Sequence, residues 1–383
     1  MNESISLKKL LEGVEVEWKP LRTLILTVVS PLKVKKSDYQ AIGKIPIVSQ
    51  EKKYISGYVD GIETYVKSDN YIVFGDHSEH IKYIDFAFVQ GADGLKILKP
   101  NKDSAKYIYY AFQNHYQKEL SYKRHWTSAK ETLIPIPYPK DLIKSLKIQT
   151  EIVRILDTFT ELTAELTAEL SARKKQYSYY RDKLLSFEEG EVEWKELWEV
   201  AEYSKTRISF DKLDEANYVG VDNLLQNRAG KKESIHIPTE GNSTKYHNND
   251  ILIGNIRPYL KKIWHADCIG GTNGDVLVVH PTDETVNPKY LYQILADEKF
   301  FDYNMQHAKG AKMPRGNKAK IMEYRLPLPS PKEQERIVTI LNKFDTLTNS
   351  ISEGLPKEIE LRQKQYEYYR NMLLNFPKEK VEA

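Results

Sequence analysis

From Ser145 to Phe187 the mostly apolar residues Ile152, Ile155, Phe159, Leu162, Leu166, Leu170, Arg173, Tyr177, Tyr180, Leu184 and Phe187 recur every three or four positions, with polar and charged residues between them. A stripe that narrow is the seam of a coiled coil, not the broad face of a globular helix. The spacing predicts one unbroken helix of about 42 residues, roughly 63 Å long at 1.5 Å per residue. Ser330 to Phe376 carries a second stripe, with Ile337, Ile340, Phe344, Leu347, Ile351, Leu355, Ile359, Tyr366, Tyr369, Leu373 and Phe376 on it. Ser330, with Pro331 at the first helical position and Glu333 at the third, reads as a capping-box start, and Ser145 stands at the equivalent place in the first helix. Gly354-Leu355-Pro356 predicts a kink or short interruption in the second.

The two stripes are copies. Gln149, Ile152, Val153, Ile155, Leu156 and Phe159 match Gln334, Ile337, Val338, Ile340, Leu341 and Phe344 at a constant offset of 185. Gln176, Tyr177, Tyr179, Tyr180, Arg181, Leu184, Leu185 and Phe187 match Gln365, Tyr366, Tyr368, Tyr369, Arg370, Leu373, Leu374 and Phe376 at 189, so the second copy holds four more residues. Self-similarity at a fixed offset marks a duplicated architecture. Matched stripes predict that the two helices pair antiparallel within the chain.

Outside the helices the pattern shortens to β-rich runs punctuated by Gly, Asn, Asp and Pro, among them Tyr71 to Asp76, Asp250 to Asn255 and Asp275 to Val279. Helical pieces are expected at Ser104 to Glu119 and Pro288 to Glu298. Each globular segment is entered through a Val-Glu-Trp-Lys run, ending at Lys19 or Lys195, and left through a Pro-spaced exit, Ile134-Pro135-Ile136-Pro137 or Leu326-Pro327-Leu328-Pro329. After Phe376 the chain reaches Val381-Glu382, the opening of a third entry run, as in a circular arrangement that returns the C-terminus toward the N-terminus. The expected division is an N-terminal segment 1–12, a globular domain 13–140, a helix 141–189, a second globular domain 190–329, a second helix 330–376 and a tail 377–383. The fold class is α+β: two α/β domains separated by an antiparallel pair of long coiled-coil helices, in a pseudo-twofold circular arrangement.

The chain has 383 residues, with no apolar run near membrane-spanning length and a polar N-terminus without a signal-peptide core, and a cytoplasmic protein is the expectation. One cysteine, Cys268, rules out an internal disulfide and a cysteine-built zinc site. Fifty-seven basic against 54 acidic residues give a net charge of only +3, so a nucleic-acid face must come from local clustering. The 26 tyrosines favour interfaces, since the ring packs while the hydroxyl bonds.

No catalytic constellation is visible, and no metal site is expected. Ala229-Gly230-Lys231-Lys232 lacks the first glycine and the hydroxyl of a phosphate-binding loop. Gly270 to Gly274 is glycine-rich but leads into a strand, not a helix, and reads as a loop crossing. Asn287-Pro288-Lys289-Tyr290 reads as a Pro-capped helix start, not an adenine-methylating loop. Nine histidines show no metal-ligand spacing. The basic clusters carry more. Lys123-Arg124-His125-Trp126 precedes the first Pro exit, and Lys309, Lys312, Arg315 and Lys318 precede the second; aligning the exits sets Lys123 opposite Arg315. Arg257, Tyr259, Lys261 and Lys262 add a cluster with an aromatic among the charges. A charged run is ordinarily a solvated face, but twinned placement favours contact with phosphates and base edges. Tyr179 and Tyr368 fall off the helical seams and are candidates for partner contact.

With these motifs in view, the chain resembles a specificity subunit of a type I restriction-modification system over nearly its whole length. The resemblance rests on the Gln149-to-Leu156, Gln176-to-Arg181, Gln334-to-Leu341 and Gln365-to-Arg370 motifs and on the tandem tetrapeptides Thr163-Ala164-Glu165-Leu166 and Thr167-Ala168-Glu169-Leu170. It implies that each globular segment is a target-recognition domain for one half of a bipartite, asymmetric site on double-stranded DNA. The helices would act as spacer and dock. It further implies two methyltransferase subunits and two ATP-dependent restriction subunits as partners, with S-adenosylmethionine, ATP and Mg held there and no cofactor in this chain. Two other readings stand beside it. One is a nuclease or methyltransferase component with a fused recognition module, which requires a cofactor or metal motif; the other is a scaffold spacing two protein-binding domains.

Overall fold

The computed structural model describes residues 10–91, 94–350 and 353–376. The chain divides into two compact units, one comprising Met1–Glu165 with Ile359–Ala383, the other Leu166–Glu358. The first boundary falls inside the tandem Thr-Ala-Glu-Leu repeat, so each unit is a globular segment plus part of each long helix.

The first globular segment runs β1 (Val16–Pro20), β2 (Ile25–Val28), β3 (Ile45–Val48), β4 (Gly57–Val59), β5 (Tyr71–Gly75), β6 (Ile81–Ile84), β7 (Val89–Gln90), β8 (Leu95–Pro100), α1 (Ala105–His115), α2 (Trp126–Ala129) and β9 (Leu133–Pro137), and then enters α3 (Leu142–Leu184). Its sheets are ordered β2-β8-β5-β6 and β4-β3-β7. β5 is buried at all five positions, as a central strand covered on both faces must be. The second segment runs β10 (Glu193–Glu196), α4 (Leu197–Val200), β11 (Ala201–Tyr203), β12 (Arg207–Ser209), β13 (Tyr218–Val219), β14 (Asn242–Tyr246), β15 (Ile251–Gly254), β16 (Ile263–His265), β17 (Gly270–Thr272), β18 (Val276–Pro281), α5 (Pro288–Leu295), α6 (Glu298–Gln306), α7 (Lys318–Met322) and β19 (Arg325–Leu328), followed by α8 (Pro331–Asn349) and α9 (Gly354–Leu374). Its sheets are β11-β18-β15-β16 and β12-β14-β17-β13. The fold is α+β and duplicated: β5 and β15 hold equivalent central places, and β3–β7 and β13–β17 are the parallel pairs. Gly270–Thr272 is a buried strand, not the loop crossing its glycines suggested.

The Val-Glu-Trp-Lys entries and the Pro exits are partners of each other. Trp18 faces Pro135 in the β1–β9 ribbon, and Trp194 faces Pro327 in β10–β19. A two-stranded ribbon tolerates proline, because alternate N–H groups have no ladder partner to lose. Tyr107 of α1 donates its hydroxyl to the Pro135 carbonyl at 2.7 Å, and Tyr290 of α5 does the same to Pro327 at 3.0 Å.

α3 is one helix of 43 residues. It starts three residues before Ser145, and Asp141 takes the capping role by accepting from the Lys144 N–H at 3.1 Å. Ser145 lies inside the helix, where its hydroxyl accepts from Gln149. Ser330 does cap α8, through the Glu333 N–H, but only half of a capping box forms, because the Glu333 carboxylate turns to Arg336. The second long helix is interrupted between Asn349 and Gly354, as its Gly-Leu-Pro predicted. Gly354 adopts φ +78° against the Thr346 and Leu347 carbonyls, where no side chain fits, and Pro356 sits in the first turn of α9, where its missing N–H costs nothing.

In the first unit Ile152, Ile155 and Leu156 of α3 share a core with Tyr369, Leu373 and Leu374 of α9, and Phe159 stacks on Tyr369 at 5.1 Å. In the second, Leu185 at the end of α3 joins Ile337, Val338 and Leu341 of α8, and Tyr177 and Tyr180 stack on Phe344. The start of α3 thus meets α9 and its end meets α8, the antiparallel order. Each fully buried aliphatic side chain on these seams contributes about 1.5–3 kcal/mol. Leu10, Leu11 and Val14 pack on the same core as Phe376. The proposed third entry run at Val381-Glu382 lies outside the described residues. No described helix is long and apolar enough to cross a membrane.

Candidate nucleic-acid interface

The basic clusters collect at the end of each central strand. Past β5, Asp76 donates its N–H to the Gly94 carbonyl at 2.6 Å and accepts the His125 N–H at 2.8 Å. Past β15, Asn255 donates to the Asp275 carbonyl at 2.8 Å and accepts the Gly316 N–H at 3.1 Å. These matched bonds pair His125 with Gly316, and therefore Arg124, not Lys123, with Arg315. The Pro-exit alignment is off by one residue, because a single residue of loop length separates the two units between this bond and the exit.

In the first unit the stretch splits by exposure. Lys123 and Arg124 are exposed, with the Lys123 ammonium paired to Glu119. His125 is fully buried and donates its Nε2–H to the Ser121 carbonyl at 2.8 Å, with Nδ1 3.5 Å from the Glu79 carboxylate. Burial pushes the Glu79 carboxyl up, but the Tyr116 hydroxyl and the Glu119 and Leu120 N–H groups outweigh it and hold it below the usual carboxylate range. Trp126 donates its N–H to Asp76 and packs its ring against Phe74. His125 and Trp126, grouped above with the contact residues, are therefore supports beneath the loop. The solvated strand end and the apolar core both need filling there, and these two side chains do it. Sequence reasoning missed Tyr122, which is 96% exposed and stacks on His77 at 5.8 Å beside Lys123 and Arg124. The Tyr-Lys-Arg order was its signal.

In the second unit two loops meet. The Arg257 N–H donates to the Pro314 carbonyl at 2.7 Å, and Lys309 and Arg315 exchange backbone hydrogen bonds. Gly316 lies so close to the Asn255 and Asn304 side chains that any Cβ would strike their amide oxygens. Arg257, Lys309, Lys312 and Arg315 are exposed around this crossing, with Tyr259 48% exposed and Lys318 at the head of α7. Arg315 is 3.2 Å from Asp275. Lys261 and Lys262 differ from the rest: Lys261 pairs with Glu298, and Lys262 donates to the Val221 carbonyl, its pKa lowered by burial. Both are tied into the loop scaffold. Tyr179 and Tyr368 are 61% and 56% exposed, off the seams as their spacing predicted.

Among the described residues one group could converge on a metal ion: His247, Asp250 and His280, whose ligand atoms lie within 4.8 Å of one another. Asp250 is buried and accepts the His247 N–H while pairing with His280 Nδ1 at 2.6 Å. Linear spacing could not reveal it, because the histidines come from opposite sides of β15.

A family model described as "Type I restriction modification DNA specificity domain" matches residues 25–173 and again 189–361. The chain is 41% identical to the Escherichia coli type I restriction enzyme EcoR124I/EcoR124II specificity subunit, over 99% of this chain and 98% of that protein. It is 32% identical to a putative type I restriction enzyme specificity subunit of Haemophilus influenzae, over 98% and 99%. The fold is that of the type I restriction-modification S subunit from M. genitalium, with a TM-score of 0.64, 16% identity and coverage of 96% of this chain and 98% of that one. Two family matches, one on each half of a chain whose two sheets and helix clamps are duplicated, make it a member of the type I restriction-modification DNA specificity family.

Proposed function

We propose that this chain is the DNA-recognition subunit of a cytoplasmic type I restriction-modification complex, that it carries no catalytic group, and that each unit reads one half of a bipartite, asymmetric double-stranded DNA site. The observation that carries the reading is the twinned basic loop at the end of each central strand, with Arg124 and Arg315 in equivalent places on otherwise different loops. Arginine can bridge phosphate or guanine with two hydrogen bonds, and the exposed Tyr122 and Tyr259 offer rings beside the charges. Lys309, Lys312, Arg257 and Lys318 supply further phosphate contacts in the second unit. The long helices set the distance between half-sites and dock two methyltransferase subunits, with Tyr179 and Tyr368 at that dock. Two restriction subunits complete the assembly. S-adenosylmethionine, ATP and Mg belong to those partners. A solved structure similar in fold, at a TM-score of 0.54 and 12% identity, concerns complex assembly and conformational transition of the type I R-M system.

The test is methylome sequencing of cells expressing the chain with its methyltransferase. Two unlike half-sites separated by unspecified bases are expected; a palindrome or one contiguous motif overturns the reading. A Tyr179→Ala, Tyr368→Ala double variant that captures the methyltransferase at wild-type affinity removes the two tyrosines from the dock.

A further inference from the structure

The last arginine of each Gln-Tyr-x-Tyr-Tyr-Arg motif lines a cavity in its own unit, and the two cavities differ in charge. In the second unit, Arg181 Nε lies 3.5 Å from the Asp297 carboxylate, its terminal N–H donates to the Gln293 carbonyl at 2.7 Å, and Asp345 also lines the space. The counter-ion is built in. In the first unit the cavity is about 340 Å³, lined by Lys52, His80, Lys82, Gln113, Lys118 and Arg370, with no acidic residue on its wall. Arg370 Nε is buried without a hydrogen-bond partner, as Arg181 Nε is, but no acidic residue lines its cavity, and the guanidinium leans over the Tyr366 ring.

No carboxylate takes the place of Asp297 at the first unit's cavity. Ser104 caps α1 and Asn287 caps α5, and both offer their own N–H to the motif glutamine, so the two helices share a register. That register ends with α5 at Leu295: Asp297 caps α6, whereas α1 runs on to His115 and its Asn114 amide donates to Asn375 at 3.1 Å. Neither nearby acid can substitute. Glu51 is held by Lys36 at 2.8 Å, and Glu79 is satisfied by the Tyr116 hydroxyl and two N–H groups. Lys82 is buried, with two of its protons on the Ser49 and Lys53 carbonyls. Burial, and after it the charges of Lys118, Lys82 and Lys52, holds His80 below its ordinary pKa.

We propose that this pocket of the first unit binds a phosphate-type oxyanion. Clustered cations repel one another, and a bound oxyanion with several acceptor atoms relieves that repulsion while giving Arg370 Nε its missing partner. The oxyanion comes from the DNA backbone or from free phosphate. The inference does not rest on the DNA reading, since a binding site for inorganic phosphate stands or falls alone.

The test is calorimetric titration of the full chain with inorganic phosphate at constant ionic strength. Saturable binding is expected, weakened at least tenfold by Lys118→Gln and by Arg370→Gln, and unchanged by Lys174→Gln at the other unit's cavity. Lys52 and Lys118 are exposed, so a Lys52→Gln, Lys118→Gln variant keeps the test decisive if Arg370→Gln fails to fold. Repeating the titration with a saturating DNA duplex identifies the source: loss of phosphate binding assigns the pocket to a backbone phosphate, and its persistence assigns it to free phosphate. No saturable binding, or equal affinity in the double lysine variant, overturns the proposal.

Discussion

In the first unit Gln149 accepts the Ser104 N–H at 2.8 Å and donates to Asp103 and Ser145; in the second, Gln334 accepts the Asn287 N–H at 2.8 Å and donates to the Pro329 and Thr285 carbonyls. The helical residue, the helix cap it grips and the N–H it accepts are the same in both, although the acceptors of its amide differ. At the far end of the central strands little is shared beyond two backbone hydrogen bonds. One unit sets Arg124 above a buried His125–Glu79 pair, and the other sets Arg315 above a glycine wedged between two asparagines. Duplication is kept where a globular segment must hold a helix and relaxed where it meets something outside the chain. That division is what a reader of two unlike half-sites requires.

The largest expected effect tests the shared end. Gln149→Ala and Gln334→Ala each strand buried donors and acceptors and should destabilise by about 2–3 kcal/mol, read from denaturant midpoints. A loss at one site only would break the equivalence of the clamps. The next tests the divergent ends. Arg124→Ala should lower the log-log salt slope of DNA binding by about 0.9, and Arg315→Ala and Lys123→Ala by less, because Asp275 and Glu119 already hold their charges. Equal losses at Lys123 and Arg124 would restore the alignment that the hydrogen bonds displaced.

A smaller effect separates the cavities. Burial lowers the Lys82 pKa from 10.5 to about 8 in the folded first unit. Between those values the unfolded chain binds more protons at Lys82, so this residue's contribution to stability should rise as pH climbs from 8 toward 10.5 and be lost as pH drops back to about 8. Unfolding of wild type and Lys82→Met across that range checks it: wild type should gain stability relative to the variant as pH rises, and the difference between their slopes is the Lys82 contribution. An unchanged slope would place the titration elsewhere.

The helices, their duplication, the interruption before Gly354 and the fold class were legible because period and offset are local properties of a sequence. So were the central strands at Tyr71 and Ile251. Ser145 misled because a hydroxyl before a helix and one inside its first turns look alike until the Lys144 N–H is seen to choose Asp141. His125 misled because charge in a row says nothing of which side chain turns inward; the buried Glu79 that receives it lies 46 residues away. Pairing of the tryptophan entries with the proline exits was hidden for the same reason, since ribbon partners more than a hundred residues apart leave no spacing to read.

The tandem repeat at Thr163 to Leu170 straddles the division between the units, which makes it the place to test whether the helix sets the distance between them. One more Thr-Ala-Glu-Leu after Leu170 lengthens α3 by about 6 Å and turns the C-terminal part of the helix by about 40° beyond a full turn, while keeping an apolar residue on the seam. DNA rises about 3.4 Å and turns about 36° per base pair. Methylome sequencing of the insertion strain should show the spacer longer by one or two base pairs with both half-sites unchanged; an unchanged spacer, or altered half-site bases, would contradict the account.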